Sequence, residues 1–135
     1  MKEGALKYFV PIIIWAAVIT IVSSIPDLSA ARVIGLTFTD KLAHIAEYFI
    51  FGAALAFSFQ RSGVIRPIFL ATILISILFG ALDEFHQFFV PGRSSDPFDL
   101  IADTIGAIIG AATYLRLKNR ILKVVPWGSR TESTK

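Results

Sequence analysis

Residues 83 to 99 of the chain read DEFHQFFVPGRSSDPFD, and a shorter polar run, DKLAH, occupies residues 40 to 44. Between them they gather carboxylates, an imidazole, an ammonium and a guanidinium. His44 beside Asp83 or Glu84 would make an acid and base pair, because imidazole titrates near neutral pH and a neighbouring carboxylate orients it. Lys41 and Arg93 suit phosphate, the arginine as a bidentate fork and the lysine as a point charge. A divalent cation bridging Asp83, Glu84 and Asp99 to a phosphate would be of the Mg2+ or Ca2+ kind. The chain has no cysteine, which removes thiolate metal sites and cysteine nucleophiles. It also lacks a zinc-type HExxH run, a nucleophile elbow and a phosphate loop, so enzyme and binding protein both stay open.

These groups must be held by elements that the rest of the sequence describes well. Of 135 residues, 55% are hydrophobic and the mean hydropathy is +0.69, too apolar for an ordinary soluble domain. Four segments are long enough to cross a hydrocarbon core of about 30 Å, which takes roughly 20 helical residues. They run from Leu6 to Ile25, Asp40 to Phe59, Pro67 to Val90 and Pro97 to Leu117. The expectation is an all-α membrane protein, a single domain over 1–135 forming a bundle of four transmembrane helices. A signal peptide cut before Ala31 competes for the first segment, but its apolar run is longer than a signal-peptide core. Past Leu115, RLKNRILKVVPW is basic and roughly amphipathic, and reads as a stretch lying against an anionic inner leaflet.

Charge sets the expected orientation. Lys2, Lys7, Arg61, Arg66, Arg116, Lys118, Arg120, Lys123, Arg130 and Lys135 would fall on one side and Arg32, Lys41 and Arg93 on the other, which is 10 against 3 of the 13 basic residues. The positive-inside bias puts both termini in the cytoplasm. Eight of the 10 acids, all but Glu3 and Glu132, then lie in the outward half. The basic residues cluster at the termini and in one loop without interleaved aromatics, so nucleic acid is not an expected partner.

The helical rise of 1.5 Å per residue places His44, Gln87 and Asp99 roughly 5 Å below the outer ends of their segments, and Glu47, Asp83 and Asp103 roughly 10 Å below. Three helices thus contribute polar groups to two shared levels. At 100° per residue Asp40, His44 and Glu47 share one face, with Lys41 and Tyr48 beside it, and Asp83, Glu84 and Gln87 share another. Asp96, Asp99 and Asp103 run on into Gly106 and Gly110, a small-xxx-small stripe that invites close packing against protein. An aspartate at mid-bilayer costs about 2.5 to 3.5 kcal/mol on insertion scales. Groups this numerous must pair, be protonated, hold a cation or sit in water. Structural roles compete with functional ones: Asp96 can cap the fourth helix ahead of Pro97, Asp40 can cap the second, and Tyr48 can be packing alone.

DKLAHIAEY followed by DEFHQFFVPGRSSDPFDLIADTIGAIIG resembles the VanZ-like family, which joins D-K-x-x-H to a later D-E-x-x-Q-x-x-x-P-G-R, a downstream Asp and a glycine-rich helix. The matching positions are Asp40, Lys41, His44, Tyr48, Asp83, Glu84, Gln87, Pro91, Gly92, Arg93, Asp99, Gly106 and Gly110. Asp103 departs from the pattern, since the family usually carries Asn there. The resemblance implies a small bacterial membrane protein of the cell envelope, in a family whose founding member is associated with resistance to the glycopeptide teicoplanin.

Three functions follow as alternatives. The first is an outward-facing site that binds or alters the head group of a membrane lipid or a lipid-linked cell-wall precursor. His44, Asp83 and Glu84 would do the chemistry there, and Asp40, Lys41, Tyr48, Gln87, Arg93, Asp99 and Asp103 the binding. The second is a non-enzymatic protein that captures glycopeptide, lipid or a partner and changes drug access. The third is a small proton-coupled transporter, although no inverted repeat is visible.

Overall fold

The computed structural model describes residues 5–26 and 37–124. A 3-10 turn at Ala5–Phe9 leads into α1 (Val10–Ser23), followed by α2 (Thr37–Ser62), α3 (Ile68–Gln87) and α4 (Pro97–Val124). The described residues contain no strand. Four stretches, Ala5–Ser23, Thr39–Ser62, Ile68–Gln87 and Pro97–Asn119, are long and apolar enough to cross a membrane, as the sequence predicts. The proposed cleavage point at Ala31, the loop charges Asp27 and Arg32, the terminal charges Lys2, Glu3, Arg130, Glu132 and Lys135, and Trp127 lie outside the described residues.

Turn chemistry sets the boundaries. Gly63, at φ 67°, ends α2 by donating its N–H to the Phe59 carbonyl, the left-handed cap that glycine adopts without steric cost. Between α3 and α4, Gly92 at φ 78° follows Pro91 in a turn closed by Arg93 N–H to Val90 O. Pro97 opens α4, and Asp96 Oδ1 accepts the Phe98 N–H at 2.9 Å, so Asp96 is the cap expected of it. Asp40 is not: α2 begins three residues earlier, at Thr37. Asp40 therefore lies in the first turn, where a carboxylate is favoured by the positive end of the helix dipole without capping it. The basic stretch after Leu115 continues α4 as far as Val124, and its last three residues lie outside the described ones.

The most extensive helix pair is α2 with α4. A Cβ on Gly106 would run into the Ile45 carbonyl, one on Gly110 into the Phe49 carbonyl, and one on Gly52 into the Ala107 carbonyl. Backbone thus meets backbone along the stripe that the glycine spacing predicts, which gives helices in lipid dispersion contact that hydrophobic burial cannot supply. Around this seam Ile19, Tyr48, Phe51, Leu55, Ala56, Phe59, Ile68 and Ala111 form the core. α1 lies at the periphery, with Ile13, Ile14 and Ile21 largely exposed, as lipid-facing residues are.

Candidate functional site

The polar faces of α2, α3 and α4 meet at one end of the bundle. His44, Asp83, Glu84, Gln87, Asp99 and Asp103 are all buried there, while Phe85, Phe88 and Phe89 point outward from the other faces of α3 and its end. The 100° reading of α3 is therefore correct in detail. Asp40 and Lys41 are half-buried at the mouth of the same region.

The contacts form a chain. Lys41 Nζ binds Asp96 at 2.6 Å and also bonds Asp99, tying the first turn of α2 to that of α4. Its ammonium holds the Asp96 carboxyl below the usual carboxylate range, with the Phe98 N–H adding to the effect. His44 Nδ1 stands 2.9 Å from Asp103 Oδ1, and His44 Nε2 lies 3.9 Å from Asp99 Oδ2. Glu84 Oε2 accepts the Asp96 backbone N–H at 2.8 Å. Asp83 Oδ2 accepts from Ser23 Oγ at 2.8 Å and from Gln87 Nε2 at 2.9 Å. The hydrogen-bond partner of His44 is thus Asp103, while Glu84, one of the two carboxylates the sequence points to, stands within 4.8 Å of both. The two levels meet with a relative rotation that helical spacing within single helices does not contain.

Arg93 makes a contact that the sequence does not indicate. Its Nη2 donates to the Val22 carbonyl at 2.9 Å, taking up an end carbonyl of α1, and its buried Nε has no partner. Sequence reasoning left α1 out of the site altogether. Ser23 reaches Asp83, Ser24 Oγ lies 2.9 Å from His86 Nε2, and Trp15 Nε1 donates to the Glu47 carbonyl at 2.8 Å. The signal was present as two adjacent serines at the end of an otherwise apolar run, at the level where the other helices carry their acids.

Several polar atoms of the cluster are buried without a hydrogen-bond partner: Glu84 Oε1, Asp103 Oδ2 and the Tyr48 hydroxyl. The last two face the same gap. A Cβ on Gly80 would stand 3.1 Å from Asp103 Oδ2 and 3.5 Å from the Tyr48 oxygen, so the glycine leaves room for both. Tyr48 is fully buried, and its ring packs on Phe51 and Phe79 at centroid distances of 5.6 and 6.3 Å. Its packing role is clear and its hydroxyl stays unused.

One side of the cluster opens laterally. A cleft of about 210 Å³ between α1 and α3 is lined by Thr20, Phe79, Leu82, Asp83 and His86. Asp83 and His86 lie toward the acidic end, with Leu82 beside Asp83 and with Thr20 and Phe79 deeper along the helices. The divalent-cation set foreseen from the sequence, Asp83, Glu84 and Asp99, is not gathered as such: Asp83 is engaged by Ser23 and Gln87, and Asp99 by Lys41. Two other groups do converge, Asp40 with His44 and Asp99, and His44 with Glu84 and Asp103.

Comparison with known proteins gives a match to the family model described as VanZ/LLP1 over residues 6–119. No curated protein and no solved structure matches.

Proposed function

The chain belongs to the VanZ/LLP1 family, and on that premise we propose that it is an envelope membrane protein whose buried polar cluster acts on, or captures, the head group of a membrane lipid or lipid-linked cell-wall precursor. The observation that carries this reading is the lateral cleft, which puts Asp83 at the boundary between a lipid-facing apolar wall and the cluster behind it. Such a boundary suits an amphiphile, with its chain along Leu82 and Phe79 and its head group toward Asp83 and His86. We orient the bundle with both termini cytoplasmic, on the asymmetry of Lys and Arg, so that the cluster faces the extracytoplasmic side. A site of that kind would bear on susceptibility to glycopeptides such as teicoplanin, which act on the outer envelope.

In this reading His44, oriented by Asp103, takes or gives the proton. Arg93, whose Nε lacks a partner, is the better placed of the two cations for a phosphate. Lys41 would first have to give up Asp96 or Asp99. Asp40, Gln87 and Asp99 shape the surroundings.

The test uses the purified chain in lipid nanodiscs with envelope lipids and precursors, read by mass spectrometry. Release or transfer of a head group is expected, with Asp83→Asn and His44→Ala abolishing it at unchanged protein levels. Full turnover in both variants overturns the catalytic assignment. Capture of lipid or glycopeptide without product, weakened by the same substitutions, establishes the binding alternative. Proton-coupled flux in liposomes would establish a carrier.

A further inference from the structure

His44, Glu84 and Asp103 are each more than nine-tenths buried, and one donor atom from each lies within 4.8 Å of the other two. An acidic group in such a place needs a compensating charge, and among the described residues neither nearby cation supplies one by contact: Lys41 is paired with Asp96 and Asp99, and the side-chain hydrogen bond of Arg93 goes to the Val22 carbonyl, with no ion pair to Glu84 or Asp103. A neutral His44 leaves two carboxylates uncompensated, and a charged one still leaves an excess of one. Independently of that count, Glu84 Oε1 and Asp103 Oδ2 are buried and have no partner. A buried carboxylate oxygen with no donor is costly, and a metal ion is one of the few groups that satisfies several at once.

We propose that His44, Glu84 and Asp103 hold a divalent first-row transition metal of the Mn2+, Fe2+ or Zn2+ class. Its donors, one imidazole and two carboxylates, form a mixed nitrogen and oxygen set of the kind those ions take, whereas Mg2+ and Ca2+ favour oxygen alone. Ligands around a tetrahedral ion of this class stand roughly 3 to 3.5 Å apart, so side-chain adjustment on fixed helices closes the site. Second-layer support is already in place. The Asp96 N–H holds Glu84 Oε2 and so fixes the carboxylate whose other oxygen is unpartnered. Three protein ligands leave a coordination position for water or a ligand oxygen. The alternative group of Asp40, His44 and Asp99 is the weaker one, because Asp99 already carries Lys41.

With the ion bound His44 would serve as a ligand and the water at the open position would carry the proton in its place, so the site does not depend on the proton role given to His44 above, and its test measures metal and not turnover. The full chain in detergent is stripped with a chelator, then dialysed against Mn2+, Zn2+, Mg2+ or Ca2+, and bound metal per chain is counted by elemental mass spectrometry. Close to one Mn2+ or Zn2+ per chain is expected, with no Mg2+ or Ca2+ retained under the same conditions. Glu84→Gln and Asp103→Asn should each weaken retention by about tenfold or more, while Ser58→Ala leaves it unchanged. No bound metal, a preference for Mg2+ or Ca2+, or undiminished retention in both variants overturns the proposal. Co2+ added to the stripped His86→Gln chain covers the case in which a cluster variant fails to fold. A visible ligand-field band with a paramagnetically shifted imidazole resonance from His44 supports the site, and their absence overturns it.

Discussion

The two ends of the bundle handle buried polarity in opposite ways. At the end away from the acids, the hydroxyls are largely satisfied by nearby backbone. Thr72 donates to the Ile68 carbonyl at 2.8 Å, and Ser62 lies 3.4 Å from the Phe59 carbonyl. Ser58 donates within its own helix to Ala54 and across to Tyr8. At the acidic end almost nothing is local. His44 needs Asp103 from α4, Glu84 needs the Asp96 amide, Lys41 needs α4, and Asp83 needs Ser23 from α1. A hydroxyl carries a donor that reaches a carbonyl one turn back, and so brings its own solution into the membrane. An ionised carboxylate only accepts, and in a helix interior every amide is already used, so it needs either a side-chain donor, as Gln87 is to Asp83, or a partner from another element. The acidic end is consequently the part of the molecule whose order depends on the tertiary structure, and the part where most of the unpartnered atoms lie, the Ser76 hydroxyl midway along α3 being the exception among the described residues.

The largest effect should come from breaking the frame that both ends share. Gly110→Val drives a side chain into the Phe49 carbonyl, where backbone cannot yield. Ordinary overpacking costs about 1 to 3 kcal/mol because neighbouring side chains can shift; here the obstacle is backbone, so we expect outright loss of the folded monodisperse species on size exclusion in detergent. A variant that keeps the wild-type melting temperature would mean that the α2 and α4 seam is looser than its geometry.

Next come paired substitutions, one at each end. Asp103→Ala removes the partner of a buried imidazole and should destabilise by about 3 to 5 kcal/mol, the usual cost of breaking a buried charged pair. Thr72→Val removes a hydroxyl bonded only to its own helix, and should cost no more than about 1 kcal/mol. Thermal or denaturant unfolding of the two variants side by side decides the matter, and equal losses would break the contrast.

The smallest effect is titratable. The Asp96 carboxyl is held below its ordinary value by Lys41. A carboxylate whose folded value is lowered contributes stability that is fully present above its unfolded value and lost as pH falls through the folded one. Stability should therefore decline on acidification below about pH 4, the ordinary aspartate range. Asp96→Asn keeps a capping side chain but loses the charge, so it should flatten that part of the acid limb. The change should be no more than about 1 kcal/mol, because the pair is partly exposed. An unchanged acid limb in the variant would assign the acid sensitivity to the buried carboxylates instead.

Much of this architecture is legible in the sequence, for identifiable reasons. The spans follow from apolar length, which a hydrocarbon core demands of any crossing helix. The inward face of α3 follows from angular spacing alone, since Asp83, Glu84 and Gln87 fall on one side and Phe85 on another. Gly106 and Gly110 announce a close approach because only glycine permits backbone contact at that spacing. The cap at Asp96 is local chemistry, readable from Asp followed by Pro. Asp40 misleads because an acid is favoured throughout the first turn of a helix as well as at its cap, and α2 begins at Thr37.

What eludes the sequence is relational. That His44 meets Asp103, that Arg93 closes on the end of α1, and that Ser23 and Ser24 complete the acidic end all depend on how far each helix is rotated and slid against its neighbours. DEFHQFFVPGRSSDPFD and DKLAH determine by themselves that acids from three helices share a depth, because rise per residue is a property of the single helix. Which acid meets the imidazole, and which oxygens are left without a donor, is decided by the glycine seam between α2 and α4. That seam sets the distance and rotation between helices, and no periodicity within one helix encodes the other's angle.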